Sequence, residues 1–223
     1  MDVIEAILTR RSTRAFLPTP VPKETVAEIL DLAARAPSGT NMQPWKVYVV
    51  AGAAKEALTK DTLQAIATEA EAHVAEYKYY PDEWVEPYKS RRKKVGLDLY
   101  TLLGLTRENR EGMRKQQSRN YEFFGAPIGL FFTIDKHLEV GSWLDYGMFV
   151  ENVMLIARAK GLHSCPQASW PPFHRVIRKH LPIPESEIIV CGMSLGYMDE
   201  AALENQLETE RVPSSEFAKF FGF

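Results

Sequence analysis

Apolar residues recur at helical spacing in the first forty residues of the chain. Asp2 precedes the first apolar stretch and Glu5 follows three positions later, a capping box that predicts the start of a short helix. The apolar face of this helix consists of Val3, Ile4, Ile7 and Leu8. A second helix is predicted over 22–35, ending before Pro37. Its core-facing positions are Val26, Ile29, Leu30 and Ala33.

The rest of the chain alternates between helical and extended patterns. A strongly apolar helix is predicted to begin at Ser142, with Asp145 completing its cap, and to run to Lys160 before Gly161. The other predicted elements are a strand over 45–50, a helix over 53–77, a strand over 127–134, a short helix over 173–180 and a strand over 187–191. No repeat or linker divides residues 1–223, so we expect one domain of the α+β or α/β class.

A basic excursion interrupts this pattern over residues 70–124. Between Tyr88 and Arg119, ten Lys or Arg residues stand against three Asp or Glu. A nucleic-acid patch is one interpretation, but a solvated helical excursion balanced by acidic residues elsewhere is favoured. Three aromatic residues of the excursion, Trp84, Tyr88 and Tyr100, are expected to be core residues rather than part of a substrate lid.

Composition narrows the functional classes. The 223 residues are 45% hydrophobic and 25% charged, with a net charge of −2, which is typical of a globular protein and not of a dedicated nucleic-acid binder. No apolar run is long enough to span a membrane. The two cysteines, Cys165 and Cys191, are too few for a disulfide framework, so we expect free thiols and a cytoplasmic location. After Tyr197 a polar tail follows, and its terminal phenylalanines are expected to be buried on a second subunit.

The common sequence signatures of catalysis and nucleotide binding are either incomplete or absent in this chain. Gly192–Gly196 fits a nucleophile elbow around Ser194, but all five histidines precede that serine and no helical pattern follows it. Cys165 lies near two histidines, yet the spacing matches no common zinc site, so a buried structural cysteine is favoured. Neither a dinucleotide-binding glycine motif nor a phosphate-binding loop with lysine is present.

Two polar clusters remain. Residues 10–14 place three guanidinium groups and two hydroxyls where the first helix ends, which suits a phosphate dianion. A basic helix end favoured by the helix dipole is an equally good interpretation of that cluster alone. Residues 36–45 form a turn rich in hydrogen-bonding side chains directly before a strand, and by itself this would be an ordinary polar loop.

Together these clusters resemble the FMN-dependent nitroreductase family. The matching motifs are Arg-Arg-Ser-x-Arg-x-Phe over 10–16, Ala-Pro-Ser-Gly-x-Asn-x-Gln-Pro-Trp over 36–45, the segments 161–167 and 191–197, and Arg-Val-Pro over 211–213. The similarity covers nearly the whole chain in the same order. The excursion and the Leu-His-Ser-Cys-Pro-Gln sequence resemble the branch that contains nitrobenzoate-type nitroreductases.

The resemblance implies a three-layer α+β fold, with a central, mostly antiparallel mixed sheet flanked by helices. It also implies a homodimer with two FMN sites at the subunit interface, the C-terminal extension over 198–223 being exchanged between subunits. NADH or NADPH would donate hydride, and a small aromatic acceptor, a nitroaromatic or a quinone, would be reduced in two-electron ping-pong steps. Within the same fold, a reductive dehalogenase or a benzimidazole-forming enzyme that destroys flavin stays an alternative. A non-catalytic flavin-binding module is a further one.

The resemblance also assigns cofactor-binding positions. The phosphate and the pyrimidine edge of the flavin would be held by Arg10, Arg11, Ser12, Arg14 and Arg211. The flavin would be approached from the other subunit by Pro37, Ser38, Gly39, Asn41 and Gln43. One ring face would be lined by Pro166, Gln167, Ala168 and Ser169, with a backbone N–H near Ser169 facing flavin N5. The chain departs from some members at Ala168 and Ser169, where they carry Glu-Gly, and at Thr209, where they carry lysine.

Overall fold

The computed structural model describes all 223 residues of the chain. The helices are α1 (Val3–Thr9), α2 (Lys23–Ala33), α3 (Gly52–Glu69), α4 (Tyr88–Leu102), α5 (Arg110–Ser118), α6 (Val140–Ala159), α7 (His174–His180) and α8 (Ser214–Phe217). The strands are β1 (Lys46–Ala51), β2 (Ile128–Asp135), β3 (His163–Gln167) and β4 (Glu187–Gly196). The chain combines these helices with strands that pair only in antiparallel fashion, so the α+β prediction is confirmed.

The four strands form one sheet in the order β1-β2-β4-β3, and every strand pair is antiparallel. The only parallel pairing is an isolated bridge between Ser12 and Ser164 at the β3 edge. The family resemblance implied a mixed sheet. Within a single chain, this bridge is the one parallel component of that sheet. Strand β3 was not predicted, because it has only five residues and contains a proline.

Helices cover both faces of the sheet and give three layers. On one face, alternate β2 residues such as Leu130 and Phe132 pack with α2 and α6. On the other face, Phe131 packs with Leu58 of α3 and Ile177 of α7. Because successive side chains of a strand point to opposite faces, β2 is buried along almost its whole length. The three-layer prediction is confirmed.

The cap of α1 is confirmed and the predicted cap of α6 is wrong. Asp2 accepts the N–H of Glu5 at 2.8 Å, as the capping box requires. Helix α6 begins at Val140, two residues before Ser142, because Glu139 already has the extended backbone of an N-cap. Asp145 instead accepts the N–H of Gly39 at 3.0 Å, a contact between distant segments that no local pattern indicates.

The predicted helix over 53–77 is too long. Helix α3 ends at Glu69, and a short 3₁₀ turn follows over Ala70–Ala72. Strand β4 is longer than predicted and continues from Cys191 to Gly196, through the motif that was rejected as a nucleophile elbow. The glycine at position 192 lies in this strand because the indole of Trp170 packs where a Cβ atom would be.

The basic part of the excursion, which contains α4 and α5, is a solvated helical segment, as predicted. Neither α4 nor α5 contributes a buried residue. The expectation that Trp84, Tyr88 and Tyr100 belong to the core is wrong, because Tyr88 is exposed and the other two are half-buried. Trp84 packs instead under the guanidinium of Arg92, 4.9 Å from the ring centre, an arrangement that needs no apolar core.

Two apolar surfaces of the single chain are exposed to solvent. The apolar face of α1 is exposed, although a lone amphipathic helix normally buries it. All four phenylalanines of the tail are exposed as well: Phe217, Phe220, Phe221 and Phe223. No helix combines the length and apolar content that crossing a membrane requires.

Candidate cofactor site

The arginine segment that follows α1 runs beside β3. Ser12 bridges Ser164 in parallel, and the backbone N–H of Thr13 donates to the Ser164 carbonyl at 3.0 Å. Because the two segments run in the same direction, the side chains after Ser12 are carried towards the end of β3. The arginine cluster over 10–14 and the segment 163–169, which begins within the 161–167 family motif, therefore share one edge of the sheet.

A cavity of about 500 Å³ opens where α1 meets the C-terminal tail. Arg10 and Arg11 line it from one side, and Arg211 lines it from the tail, 200 residues further along the chain. Only two carboxylates share the lining, Glu151 and Glu208, so the cavity carries an excess of positive charge. Arg10 is 3.8 Å from Glu151, a loose ion pair that leaves the guanidinium available to another anion.

The turn after β3 is fixed by buried contacts. The side chain of Gln167 donates to the Asn120 carbonyl at 2.6 Å and accepts from the hydroxyl of Ser194 at 2.9 Å. Its side chain is thus committed to the core, and only its backbone is free for a ligand. Tyr121 donates to the Ser169 carbonyl at 3.3 Å, and burial raises the pKa of that tyrosine to about 12, so it stays a donor.

Two hydroxyls near this edge have no hydrogen-bond partner. The Oγ1 of Thr13 and the Oγ of Ser169 are both buried and unpaired. Unpaired buried hydroxyls are uncommon in native proteins, since each loses its hydrogen bonds to water. Thr13 and Ser169 lie in the two segments that the family resemblance assigns to cofactor binding.

The loop from Pro37 to Gln43 lies apart from this cavity within the chain. Gly39 is held by Asp145 near the N-terminal end of α6, whereas Arg10 meets Glu151 about 9 Å further along that helix. Three non-glycine residues of the loop have positive φ: Thr40, Asn41 and Gln43. Backbone of this kind is strained and concentrates at functional sites. The structure does not bring this loop to the arginines within one chain.

The rejected catalytic motifs are buried. Ser194 is fully inaccessible and donates its hydroxyl to Gln167, so it is no nucleophile. Burial raises the pKa of Cys165 to about 11, although Arg14 and a hydrogen bond with Ser12 oppose the shift. No group of three His, Cys, Asp or Glu side chains is arranged to hold a metal ion. Neither Ser194 nor Cys165 is therefore placed to act as a nucleophile.

Sequence reasoning missed Tyr121 and Asn205, which hold the β3 turn and the arginine segment. Each acts across a long separation: Tyr121 on Ser169, and Asn205 on the N–H of Arg14. No spacing rule connects residues so far apart. A tyrosine beside two phenylalanines, before a buried strand, is the one local signal that could have suggested a role in the core.

Comparison with known proteins agrees with this geometry. The model of the Nitroreductase family matches residues 7–197. A 4-nitrobenzoate reductase from Pseudomonas putida is 41% identical, over 100% of this chain and 96% of that protein. A chloronitrobenzene nitroreductase from Comamonas testosteroni is 40% identical, over 97% and 95% of the two chains.

A solved structure extends the likeness to three dimensions. The crystal structure of the FMN and NADPH-dependent nitroreductase NfnB from Sphigopyxis sp. strain HMH superposes with a TM-score of 0.96. It is 36% identical, and the match covers 100% of both chains. Sequence motifs, three-layer fold and full-length relatives agree, and the chain belongs to the nitroreductase family.

Proposed function

We propose that this protein is an FMN-dependent NAD(P)H oxidoreductase that reduces nitroaromatic compounds. The observation that carries the proposal is the convergence of Arg10, Arg11 and Arg211 on one cavity beside the β3 edge. The names of the relatives support it, since two of them are a nitrobenzoate reductase and a chloronitrobenzene nitroreductase. The solved structure with the same fold is described as FMN and NADPH-dependent.

The donors lining the cavity fit the phosphate of FMN. Three guanidinium groups meet only two carboxylates there, and each guanidinium can offer two parallel hydrogen bonds to phosphate oxygens. Arg10, Arg11 and Arg211 would hold the phosphate. Arg14 and Ser12, which continue along β3, would reach the pyrimidine edge of the flavin.

The turn after β3 would support one face of the flavin ring. Pro166 and Gln167 at the end of β3 would support the ring together with Ala168 and Ser169 of the turn, with Gln167 contributing only through its backbone. The bond from Tyr121 to the Ser169 carbonyl fixes the backbone there, so that its N–H can face N5. The unpaired hydroxyls of Thr13 and Ser169 give the site spare hydrogen-bonding capacity for a polar ligand.

The second face of the flavin ring would be covered by a second chain. The loop residues Pro37, Ser38, Gly39, Asn41 and Gln43 are exposed or half-buried and stand away from the cavity of their own chain. The exposed face of α1 and the phenylalanines of the 198–223 extension offer apolar surface for a homodimer. A two-fold dimer that exchanges these extensions would bring each loop to the partner's cavity.

FMN, when bound, supplies two-electron chemistry between a reduced nicotinamide and a small aromatic acceptor, a nitro compound or a quinone. The residues of this chain bind the cofactor, orient it and surround it with positive charge. Cationic charge and an N–H donor beside the ring favour the reduced, anionic form. No side chain is required as nucleophile, in agreement with the buried Ser194 and Cys165.

Steady-state kinetics test the proposal. NADPH or NADH and 4-nitrobenzoate are varied together, and the product is identified by chromatography. We expect the hydroxylamine as product and parallel double-reciprocal lines, because donor and acceptor use the same site in turn. Absence of any NAD(P)H-dependent loss of the nitro compound contradicts the proposed activity, whereas intersecting lines contradict only the shared site.

A further inference from the structure

Asn205 ties the arginine segment to the start of the C-terminal tail. It is only 4% exposed and lies in the 3₁₀ turn Leu203–Gln206. Its side-chain oxygen accepts the backbone N–H of Arg14 at 2.7 Å. Its side-chain nitrogen donates to the carbonyls of Ala15 and Asp199, both at 2.8 Å. Both N–H groups of the amide are thus used, and the side chain has no freedom left.

The backbone of the same residue holds an arginine side chain. The Asn205 carbonyl accepts a hydrogen bond from the guanidinium of Arg11 at 3.1 Å. Arg11 lines the cavity, and its guanidinium has further N–H donors beyond the one that meets Asn205. A guanidinium fixed at one N–H loses less rotational freedom when the others bind an anion.

The turn that carries Asn205 is anchored independently of the cavity. Glu204, 9% exposed, pairs with the guanidinium of Arg119 at the end of the excursion. The tail then enters the cavity wall directly, because Leu207 and Arg211 both line it. The turn therefore anchors both walls of the cavity, the arginine segment on one side and the tail on the other.

We infer that Asn205 is a positioning residue for the phosphate of FMN, acting through Arg11. The inference rests on the proposed function, since it assumes that the cavity receives a phosphate. Asn205 does not line the cavity itself. Its backbone carbonyl holds the guanidinium of Arg11 in the cavity wall. Its three side-chain hydrogen bonds fix the turn against the backbone of Arg14, Ala15 and Asp199.

Comparing FMN with riboflavin separates positioning from general stability, because riboflavin lacks only the phosphate. Full-length wild type and Asn205→Ala are dialysed against FMN and, separately, against riboflavin. We expect the dissociation constant for FMN to rise about tenfold or more, as for one lost charge-assisted hydrogen bond, with riboflavin binding changed far less. Asn152→Ala is the matched control, since Asn152 is half-buried and donates to a single carbonyl, that of Ala33.

A second variant keeps the test decisive if Asn205→Ala does not fold. Asn205→Ser is the milder change, because its hydroxyl can still donate to one of the two carbonyls of Ala15 and Asp199, while the second donor and the amide oxygen that accepts the Arg14 N–H are lost. It should again lower FMN affinity more than riboflavin affinity. Equal loss of both ligands, or no loss, in a folded variant overturns the inference and leaves the proposed function standing. A wild type that binds neither flavin overturns the proposed function itself.

Discussion

Ser12 pairs with Ser164 in a parallel bridge at the edge of an otherwise antiparallel sheet. The bridge joins two segments 152 positions apart and aligns the arginine cluster with the turn after β3. The polar residues of these two segments form one surface only because of this pairing. The tail completes the surface by placing Arg211 opposite Arg10 and Arg11.

Removing one arginine from each wall should release the cofactor. We expect the Arg10→Ala, Arg211→Ala double variant to purify as largely colourless protein. Each charge-assisted hydrogen bond is worth about 1.5–3 kcal/mol, so losing two should weaken FMN binding roughly 10²–10⁴-fold. Flavin content is read from the absorbance spectrum after denaturation. The control is the Arg35→Ala, Arg91→Ala double variant, which removes two exposed arginines outside the cavity. Full flavin content in the Arg10→Ala, Arg211→Ala variant would show that the phosphate lies elsewhere.

Neither cysteine should react in the folded protein. Burial raises the pKa of Cys165 to about 11 and that of Cys191 to about 12. At pH 7.5 a thiol with a pKa of 11 is ionised in roughly one molecule in three thousand, and the thiolate is the reactive form. A thiol-specific disulfide reagent should therefore detect no thiol before denaturation and two after it. Rapid labelling of Cys165 in the native protein would revive the cysteine-nucleophile interpretation.

Stability should fall in mild acid through His163. Burial, reinforced by Arg158 and Arg11, lowers the pKa of His163 from 6.5 to about 4. Between these values the unfolded chain takes up a proton that the folded ring does not, so the contribution is complete above pH 6.5 and decreases as the pH falls towards 4. The full difference would be about 3 kcal/mol, which water at the partly exposed ring reduces to roughly 1–2 kcal/mol.

Urea unfolding at pH 7.5 and pH 4.5 measures this contribution. The loss of unfolding free energy between the two pH values should be smaller in His163→Gln than in wild type, because glutamine does not titrate. The other titratable groups contribute equally to both proteins, so their effects cancel in the comparison. An identical loss in both proteins would mean that His163 titrates normally in the folded state.

A methyl group at position 192 should destabilise the sheet. A Cβ atom at Gly192 would lie 2.2 Å from the indole carbon Cδ1 of Trp170. Overpacking of a buried site costs about 1–3 kcal/mol or more, so Gly192→Ala should lower the melting temperature by several degrees. In the matched variant Gly96→Ala, on helix α4, the new methyl group meets no atom within 4 Å. Gly96→Ala should leave the free energy of unfolding unchanged or raise it by up to about 1 kcal/mol. Equal destabilisation by Gly192→Ala and Gly96→Ala would contradict the packing of Trp170 against position 192.

Local chemistry made part of the fold predictable from the sequence. Asp2 caps α1 because its partner is three residues away, and most strands and helices lie within a few residues of their predicted bounds. Asp145 was misread because its partner, Gly39, comes from a distant loop. Strand β3 has too few apolar residues to give a pattern, and only its pairing with β4 makes it a strand.

The candidate site was predictable only through the family motifs. The arginines alone were as consistent with a helix end as with a phosphate site, since nothing local connects Arg211 to Arg10. Gln167 shows the limit of the motif, because its position matches the family while its side chain lies in the core. Asn205 has no motif at all, and its role follows from four contacts that only the folded chain creates.

The central claim, a flavin that NAD(P)H reduces and a nitroaromatic reoxidises, is tested most directly in one anaerobic cuvette. The purified protein is titrated with NADPH, and with NADH in parallel, while the visible flavin absorbance is recorded; 4-nitrobenzoate is then added without oxygen. We predict that the yellow colour bleaches with about one equivalent of nucleotide per flavin and returns on addition of the nitro compound. A protein that carries no flavin, or one whose colour neither nucleotide bleaches, would contradict it.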